Sequence, residues 1–347
     1  MPTFSLIIPV FNGGEHLARC LRAIGRSQAP VLECIVVDDG SSDDSAEVAA
    51  AAGALVLNVR GRKGPASARN LGAAVARGEV LLFVDADVCV HRDTVARFMA
   101  RFEDDPGIDA IIGSYDDEPG DPGFVSQYKN LLHHYVHQHG CSDSAVFWTG
   151  CGAIRRDVFD ASGGFDDSYA RPCIEDIDLG YRLRDADRKI VLDATIQATH
   201  LKRWRLSGLL HSDIFDRALP WTRLILRSNR LPDDLNLAVS QRLSGALMLS
   251  SAVLLAAAAI YPAALALSIA SFLGIIALNW KLYHFLACKR GLWFAARALP
   301  LHLSYLLYSI LTFGVGSLLH LLDQGERKTA GIEAPLPVPE SEPVERR

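Results

Sequence analysis

The chain has 347 residues, of which 50% are hydrophobic, and a formal net charge of −5. This mildly acidic balance, without a basic groove pattern, argues against nucleic acid as a partner. The seven cysteines are scattered without paired spacing, which argues against a cysteine metal site and favours a reducing compartment. No secretion signal precedes the first predicted strand, so we expect the first part of the chain to stay in the cytoplasm.

The first half of the sequence predicts an α/β fold with a mostly parallel central sheet. Residues 5–10 form an apolar strand, residues 11–15 end it, and a helical stretch follows. A second strand over residues 33–37 runs directly into Asp38 and Asp39. Continuous apolar strands that alternate with helices are typical of a parallel sheet covered on both faces, whose ligands bind at the carboxyl ends of the strands.

Two carboxylates, Asp85 and Asp87, leave a third apolar strand over residues 80–84 at alternate positions. Alternate positions point to the same side of the backbone, where both carboxylates could hold one hard divalent cation beside a nucleotide. Alternatively, they cap the helix that follows. Residues 12–15 lack the third glycine of the dinucleotide fingerprint, which disfavours a nicotinamide oxidoreductase.

Two further segments have polar groups that suit a nucleotide. Asp38 and Asp39 could accept hydrogen bonds from a base or a ribose; alternatively, this segment is a solvated helix cap formed with Ser41, Ser42 and Asp43. Residues 64–72 combine small side chains, which permit close approach, with the guanidinium of Arg69, which recognises polar nucleotide groups.

Six motifs, taken in order, closely resemble those of the family 2 glycosyltransferases. They lie at residues 8–12, 37–41, 64–70, 83–87, 163–166 and 175–179. The resemblance covers roughly residues 3–200. It implies the A-type nucleotide-sugar transferase fold and inverting transfer from a nucleotide diphosphate sugar, with Mg²⁺ or Mn²⁺ as cofactor.

The resemblance also implies roles for individual residues. Asp176 would be the catalytic base, with Glu175 beside it, and Trp148 and Gly150 are candidates for acceptor binding. The metal ligands would be Asp87, Asp85 and His200. The nucleotide sugar would contact Pro9, Val10, Phe11, Asn12, Asp38, Asp39, Arg69, Asp85 and Ala86.

The chemistry of sugar transfer agrees with two separate groups of carboxylates. Displacement at the anomeric carbon needs a base for the acceptor hydroxyl proton and a cation for the departing diphosphate. Asp85 and Asp87 could bind the cation, and Glu175 and Asp176 could supply the base. Repulsion between Glu175 and Asp176, together with desolvation, could raise the pKa of one of them. Alternatively, Glu175 and Asp176 form an acidic first turn that stabilises a helix dipole.

His200 follows a predicted final strand over residues 189–198. It could complete the metal shell or contact the diphosphate; alternatively, it is a hydrogen-bonded histidine at a membrane-facing edge. Residues 200–204 loosely resemble the Gln-x-x-Arg-Trp motif of processive members such as cellulose and hyaluronan synthases. Because His200 replaces the glutamine and lies close to Asp176 in sequence, we expect one sugar to be added per encounter.

Two aromatic segments remain. His133 and His137 are one helical turn apart, but no acidic or cysteine partner accompanies them at motif spacing, so we expect a polar helix near the acceptor rather than a metal site. Trp148 and Gly150 could form an acceptor platform by aromatic stacking and glycine clearance; alternatively, Trp148 is a core residue.

The carboxy-terminal third contains two stretches without Asp, Glu, Lys or Arg, residues 243–278 and 298–322, which predict membrane spans. As one helix the first stretch would be about 54 Å long, against a hydrocarbon core of roughly 30 Å. We therefore expect a hairpin that turns at Tyr261 and Pro262; one tilted span plus an interfacial helix is the alternative. Arginines and lysines flank both stretches, which predicts cytoplasmic flanks.

These patterns predict an integral protein of the inner or plasma membrane with a cytoplasmic catalytic domain. The predicted parts are a catalytic domain (1–200), amphipathic interfacial helices (201–242), a transmembrane hairpin (243–278), a basic cytoplasmic loop (279–297), a transmembrane helix (298–322) and a disordered tail (323–347). The expected partners are a nucleotide-sugar donor, membrane lipids and a lipid-linked or membrane-proximal acceptor. The alternatives are a polyprenyl-phosphate sugar synthase and a non-catalytic membrane scaffold that binds nucleotide sugars.

Overall fold

The computed structural model describes residues 2–329, and side-chain burial for residues 2–322. In this part the chain forms an eight-stranded sheet, followed by helices. The strands are β1 (Phe4–Val10), β2 (Glu33–Asp38), β3 (Leu55–Asn58), β4 (Val80–Val84), β5 (Val88–Val90), β6 (Ala110–Tyr115), β7 (Cys151–Arg155) and β8 (Ile190–His200).

Seven α-helices accompany the strands and six more follow the last of them. The first group is α1 (Gly14–Ile24), α2 (Ser45–Ala51), α3 (Pro65–Val75), α4 (Thr94–Asp104), α5 (Phe124–Gln138), α6 (Arg156–Ala161) and α7 (Glu175–Asp185). The second is α8 (Leu206–His211), α9 (Leu219–Ser228), α10 (Val239–Ala257), α11 (Ala263–Leu278), α12 (Trp280–Arg290) and α13 (Leu292–Thr329). A π-helix (Ser212–Ala218) joins α8 to α9, and a 3₁₀ turn (Leu235–Leu237) precedes α10.

The strand order is β3-β2-β1-β4-β7-β6-β8-β5. Strands β3, β2, β1 and β4 pair in parallel, and so do β6 and β8. Because β7 is antiparallel to both β4 and β6, and β5 is antiparallel to β8, six of the eight strands run in one direction. The predicted α/β fold with a mostly parallel central sheet is therefore confirmed.

Both faces of the sheet are covered, which explains the continuous apolar strands. In β1, Leu6 and Ile8 pack into one hydrophobic cluster with Leu17 of α1, whereas Ile7 packs into a second cluster with Ala73 of α3. Side chains alternate between the two faces of a strand, so every residue of such a run must be apolar when helices cover both faces.

The sheet brings the polar segments of the sequence to one edge. The register pairs Val10 with Asp38, and β4 lies beside β1 in the same direction. Asn12, Asp39 and Asp85, which follow these three strands, therefore lie at the same carboxyl edge. The helix α7 begins there too, at Glu175, and its first turn carries three carboxylates that favour a helix N-terminus.

Two of the carboxy-terminal helices, α10 and α13 up to residue 322, are long and apolar enough to cross a membrane. The pair α11 and α12, bent by 60°, would make a third span if it acts as one. Between α10 and α11, Ser251 and Ser268 hydrogen-bond to each other's backbone carbonyls at 3.2 and 2.9 Å. Such small polar contacts are typical of helix pairs in lipid.

Residues 279–297, predicted as a basic loop, are instead helical, as α12 and the first residues of α13. Leu282 and Leu286 of α12 pack in one buried cluster with Tyr128 and Leu131 of α5, and this packing stabilises a helix. The predicted boundaries of the last span also shift, because α13 begins at Leu292 and continues through residue 329. The rest of the predicted tail, residues 330–347, lies outside the described residues.

The basic residues of this segment contact the sheet domain. Arg290 donates from Nε to Oε1 of Gln127 at 2.8 Å and from Nη2 to the carbonyl of Asp117 at 2.7 Å. Lys289 pairs with the carboxylate of Asp117, and Arg297 lies over the ring of Phe124, 4.0 Å from its centroid. These contacts join α12 and α13 to the sheet domain.

Candidate active site

Asp39 closes the loop before α3. Its two carboxylate oxygens accept from the backbone N–H groups of Lys63 and Gly64, both at 2.8 Å, and its side chain is buried. Gly64 has φ +98°, and a Cβ there would lie 2.6 Å from the backbone of Ala170. The neighbouring Asp38 accepts from the N–H of Ser41 at 2.9 Å. Both carboxylates therefore stabilise loops around a cleft, and base contact stays a prediction for them.

The end of β1 lines the same edge. Asn12 adopts a left-handed conformation, with φ 50°, and its Oδ1 accepts from the N–H of Ser42 at 2.8 Å. Phe11 is exposed beneath the guanidinium of Arg62, 4.2 Å from the ring centroid. The preceding residues, Pro9 and Val10, belong to β1 itself, and Val10 is buried.

Arg69 joins the two groups of carboxylates. Its Nη2 donates to Oδ1 of Asp85 at 2.7 Å, and its Nη1 donates to Oε1 of Glu175 at 2.8 Å. Arg69 is 4% exposed and Glu175 is 3% exposed, so their ion pair is shielded from water, whereas the Asp85 side chain is 33% exposed. The carboxylate of Glu175 also accepts from the N–H of Cys173 at 2.9 Å. In this structure Arg69 therefore binds carboxylates, and its predicted approach to a nucleotide stays a prediction.

Asp87 faces His200 across the same edge. Oδ2 of Asp87 lies 3.6 Å from Nε2 of His200. Although burial alone would raise the pKa of Asp87, the charge of His200, supported by Lys202 and His16, lowers it to about 2. Ala86, between the two aspartates, is half-buried against the hydrophobic core.

The imidazole of His200 is held by an aromatic residue that the sequence analysis missed. The ring of Tyr115 stacks on His200 with centroids 4.3 Å apart and planes 6° apart. Tyr115 ends β6, which runs parallel to β1, so its position as the last residue of a strand at this edge was the available signal. This stacking orients the His200 ring toward Asp87.

The donor set fits a hard divalent cation. Mg²⁺ and especially Mn²⁺ accept the ligands available here, which are carboxylate oxygens of Asp85 and Asp87 and one imidazole nitrogen of His200. The described residues contain no cluster of three or more His, Cys, Asp or Glu groups already arranged around a metal position. Diphosphate oxygens of a donor would therefore have to complete such a shell, as is usual for Mg²⁺ sites that bind nucleotides.

Asp176 lies at the start of α7, next to Glu175. Its Oδ2 accepts from the N–H and the hydroxyl of Thr149, at 3.2 and 3.3 Å. Burial and the charge of Glu175 raise the pKa of Asp176 to about 6, although Arg69, Thr149 and Arg217 oppose this effect. A carboxylate with a pKa near neutrality is suited to take up a proton during a reaction.

Trp148 and Gly150 flank Thr149. A Cβ on Gly150 would lie 2.4 Å from the ring of Trp148, so only glycine leaves room for this indole. The ring of Trp148 also contacts His133, with centroids 4.9 Å apart, and His137, at 5.1 Å. His137 is buried and His133 half-buried, rather than on a polar surface of α5, and burial lowers both their pKa values. Trp148 is thus half-buried and packs beside the candidate base.

Gly180 allows α7 to pack closely enough for this arrangement. A Cβ at Gly180 would lie 2.3 Å from the backbone nitrogen of Phe147, two residues before Thr149. We expect Gly180→Ala to displace α7 and to lower stability by about 1–3 kcal/mol, the usual cost of overpacking. The temperature of thermal unfolding should fall, and the contact of Asp176 with Thr149 should be disturbed, since it depends on this spacing.

A matched substitution separates this effect from helix propensity. Gly208 of α8 has no atom within 4 Å of an added Cβ. Gly208→Ala should therefore be neutral or stabilise the helix by up to about 1 kcal/mol. Equal stability changes in the two variants would contradict the proposed role of Gly180.

Similar solved structures share this architecture. A mannosyltransferase from Pyrobaculum calidifontis, PcManGT, in complex with GDP-Man and Mn²⁺, aligns with a TM-score of 0.56 at 17% identity, over 90% of this chain and 87% of that one. The S. aureus protein TarS (residues 1–349), in complex with UDP-GlcNAc, aligns with a TM-score of 0.50 at 18% identity, over 65% and 66% of the two chains. The class is therefore that of the A-type nucleotide-sugar transferase fold.

The sequence comparisons identify a known domain in the first half of the chain. The profile of Glycosyl transferase family 2 matches residues 5–163, so the chain carries a family 2 glycosyltransferase domain. Glycosyltransferase GlyG of Streptococcus pneumoniae is 32% identical over 116 residues, which are 32% of this chain and 38% of that protein. Glycosyltransferase AglE of Haloferax volcanii is 27% identical over 172 residues, 48% and 56% of the two chains. The matches thus span about half or less of these curated relatives.

Proposed function

We propose that this protein is an inverting glycosyltransferase that moves one sugar from a nucleotide diphosphate sugar to a lipid-linked or membrane-proximal acceptor. The observation that carries this proposal is the pair of carboxylate groups at one sheet edge, bridged by Arg69. Asp85 and Asp87 lie on one side of the bridge, and Glu175 and Asp176 on the other. This division matches the two tasks of the reaction, departure of a diphosphate and activation of an acceptor.

In the proposed reaction, the acceptor oxygen attacks the anomeric carbon from the face opposite the diphosphate. As the new carbon–oxygen bond forms, Asp176 takes the hydroxyl proton, and the electron pair of the breaking bond leaves with the diphosphate. One displacement inverts the anomeric configuration. The pKa of Asp176, raised to about 6 by burial and Glu175, leaves it ionised but basic near neutral pH.

The proposed cofactor is Mg²⁺ or Mn²⁺, which would neutralise charge on the leaving diphosphate. Asp85, Asp87 and His200 would hold it, and Tyr115 would keep His200 in place through the stacked rings. Asp38, Asp39, Asn12 and the β1 end would form the walls around the nucleotide. The PcManGT complex, which contains GDP-Man and Mn²⁺, supports this proposal at the level of the shared fold.

We further propose that α10 and α13 anchor the enzyme in the inner or plasma membrane, with residues 1–200 as a catalytic domain in the cytoplasm. The length and apolar character of both helices support this arrangement. The helices between residues 201 and 242 would lie at the lipid surface. Their arginines support a cytoplasmic side by the positive-inside rule: Arg217, Arg223, Arg227, Arg230 and Arg242.

The direct test is release of nucleoside diphosphate from a panel of nucleotide sugars by the full chain in native membrane lipids with Mn²⁺. We expect release with one donor and a sugar-sized mass increase on a lipid. Asp87→Ala should lower the rate at least about 10²-fold, because the carboxylate that faces His200 would no longer help hold the cation. Added Mn²⁺ should restore little of the loss.

Asp93→Ala is the matched control, since Asp93 lies just before α4 with a 41% exposed side chain that pairs with Arg97. Its rate should stay within about twofold of wild type, as expected for a surface ion pair. A wild-type rate for Asp87→Ala would exclude the proposed metal site. Donor binding without turnover across the whole panel would favour a non-catalytic scaffold.

A further inference from the structure

A cavity of about 270 Å³ lies between the sheet domain and the candidate membrane helices. Its walls come from α5, the π-helix, α9, α10 and α13, and they are mainly apolar: Leu132, Val136, Ile225, Leu306, Ile310 and Phe313. None of the carboxylates of the candidate active site lines it. The cavity is therefore a separate space, and its lining suits a hydrocarbon chain.

One cation in this lining makes no direct polar contact with the described residues. Within the described residues, Arg217 has no ion pair and no hydrogen bond, whereas Lys129 nearby pairs with Asp213 at 2.6 Å. Asp213 also accepts from the hydroxyl of Tyr308 at 2.6 Å, so its charge is already compensated. Arg217 is half-buried, so its guanidinium is open to a ligand in the cavity, and Arg suits phosphate oxygens in particular.

Two further polar atoms near Arg217 lack partners. Nε of Arg242 and Nδ1 of His133 are buried without a hydrogen bond in the described part of the chain, and both residues line the cavity. Arg242 makes only a 3.6 Å ion pair with the exposed Asp233. A buried polar atom without a partner is rare in folded proteins, and a bound ligand is one way to satisfy it.

The cavity is connected to the candidate base through a short series of contacts. His133 and His137, both in its lining, pack on Trp148, and the next residue, Thr149, donates to Asp176. The charge of Arg217 also reaches the site, because it opposes the rise in the pKa of Asp176 that burial and Glu175 cause. A ligand whose anionic group lies at Arg217 would therefore place its next groups close to the base.

Two of the cavity walls belong to candidate membrane helices. Gly245 of α10 and Leu306, Ile310 and Phe313 of α13 line the cavity, and both helices are candidate membrane spans. A chain lying in the bilayer beside these helices would enter the cavity without crossing water. An apolar space with one unpaired cation in its lining is complementary to an amphiphile with an anionic head.

We propose that this cavity binds the acceptor as a lipid with a phosphate-containing headgroup, its phosphate at Arg217 and its hydrocarbon chain between α9, α10 and α13. This inference rests on the proposed transfer to a lipid-linked acceptor and narrows the acceptor to phosphorylated lipids. Arg242 would add a second donor to the phosphate, and the groups beyond the phosphate would extend past Trp148 toward Asp176.

The test is equilibrium binding of tritiated farnesyl phosphate to the full chain in detergent, without nucleotide sugar. Wild type should bind, unlabelled farnesol should compete at least tenfold more weakly than farnesyl phosphate, and inorganic phosphate should not compete at millimolar concentration. Arg217→Ala should weaken binding at least tenfold, and Arg217→Lys less. Arg223→Ala, an exposed arginine of α9 outside the cavity, should stay within twofold of wild type.

Ser309→Phe provides an independent variant, since Ser309 lines the cavity and a ring there would occupy the space of the chain without changing charge. It too should weaken binding at least tenfold. Three outcomes would each overturn the inference. They are equal affinity for farnesol and farnesyl phosphate, full competition by inorganic phosphate, and equal losses of affinity in Arg217→Ala and Arg223→Ala. Because the binding assay contains no donor, a failure of sugar transfer would not affect its result. Transfer to a lipid without phosphate would overturn this inference but not the proposed function.

Discussion

Asp176→Asn is expected to lower the rate of sugar transfer by about 10³-fold, within the usual range for loss of a general base. Donor affinity should change by no more than about threefold, since the bridge from Arg69 to Asp85 and Glu175 remains. An asparagine can still accept from the hydroxyl of Thr149, but it cannot take the acceptor proton. Single-turnover rates at saturating donor measure the loss of transfer rate, and the donor dissociation constant measures the change in affinity.

The control for this variant is Asp178→Asn, which removes the same charge from the same helix but at a residue that pairs with Arg182 at 2.9 Å. Its transfer rate should stay within about threefold of wild type. A small effect of Asp176→Asn would contradict the assignment of the base. It would instead favour an acceptor phosphate as nucleophile, because a phosphate oxygen is already ionised at neutral pH and needs no base.

The same assignment predicts how the rate depends on pH. The base acts only when ionised, and the pKa of Asp176 is raised to about 6 by burial and by Glu175. The transfer rate of wild type should therefore rise from pH 5 to pH 7, with an inflection near 6, and Asp176→Asn should lose this inflection. An unchanged pH profile in the variant would assign the inflection to another group.

Arg69→Ala is expected to give the largest loss of stability among substitutions in the site. It would leave Asp85 and Glu175 without their shared cation, and removal of one partner of a buried ion pair costs about 3–5 kcal/mol. Most of this cost comes from Glu175, because Arg69 is 4% exposed and Glu175 3% exposed, and water cannot replace the guanidinium there without opening the site; Asp85 is partly exposed. The apparent unfolding temperature in detergent should fall by roughly 10 °C, as this energy implies for a domain of this size.

Arg77→Ala is the matched control, because Arg77 pairs with Glu33 at 3.0 Å but its side chain is 72% exposed. A surface pair of this kind contributes at most about 1 kcal/mol. Arg69→Lys should fall between wild type and Arg69→Ala, since one ammonium cannot bridge two carboxylates as a guanidinium does. Similar unfolding temperatures for Arg69→Ala and Arg77→Ala would show that the buried bridge contributes little.

The sheet edge could be predicted from the sequence because parallel strands end at a common edge. Asp39 and Asp85 each follow an apolar strand closely, so their proximity required only the strand assignment. The partners of Arg69 could not be predicted in this way. Asp85 and Glu175 are separated from it by 16 and 106 residues, and the bridge forms only when α7 packs against the loop that holds Phe147.

The basic segment before α13 shows a different limit. Lys289 and Arg290 stand beside apolar stretches, a pattern that equally fits a membrane flank and a protein interface. Only the packing of Leu282 and Leu286 on α5 decides between the two, and this packing pairs residues more than 150 positions apart. Arg217 was unremarkable in sequence for a similar reason, since nothing local distinguishes it from the exposed Arg223.

The attachment of α12 to α5 has a consequence for which acceptors can react. The sheet domain is attached to the helices that we propose cross the membrane. The contacts are those of Lys289, Arg290 and the buried residues Leu282 and Leu286. The height of Asp176 above the lipid surface would then be nearly constant, because the domain cannot tilt without breaking these contacts. An acceptor reacts only if its hydroxyl stands at that height, so the number of sugar units already on the lipid would itself determine which substrates are used.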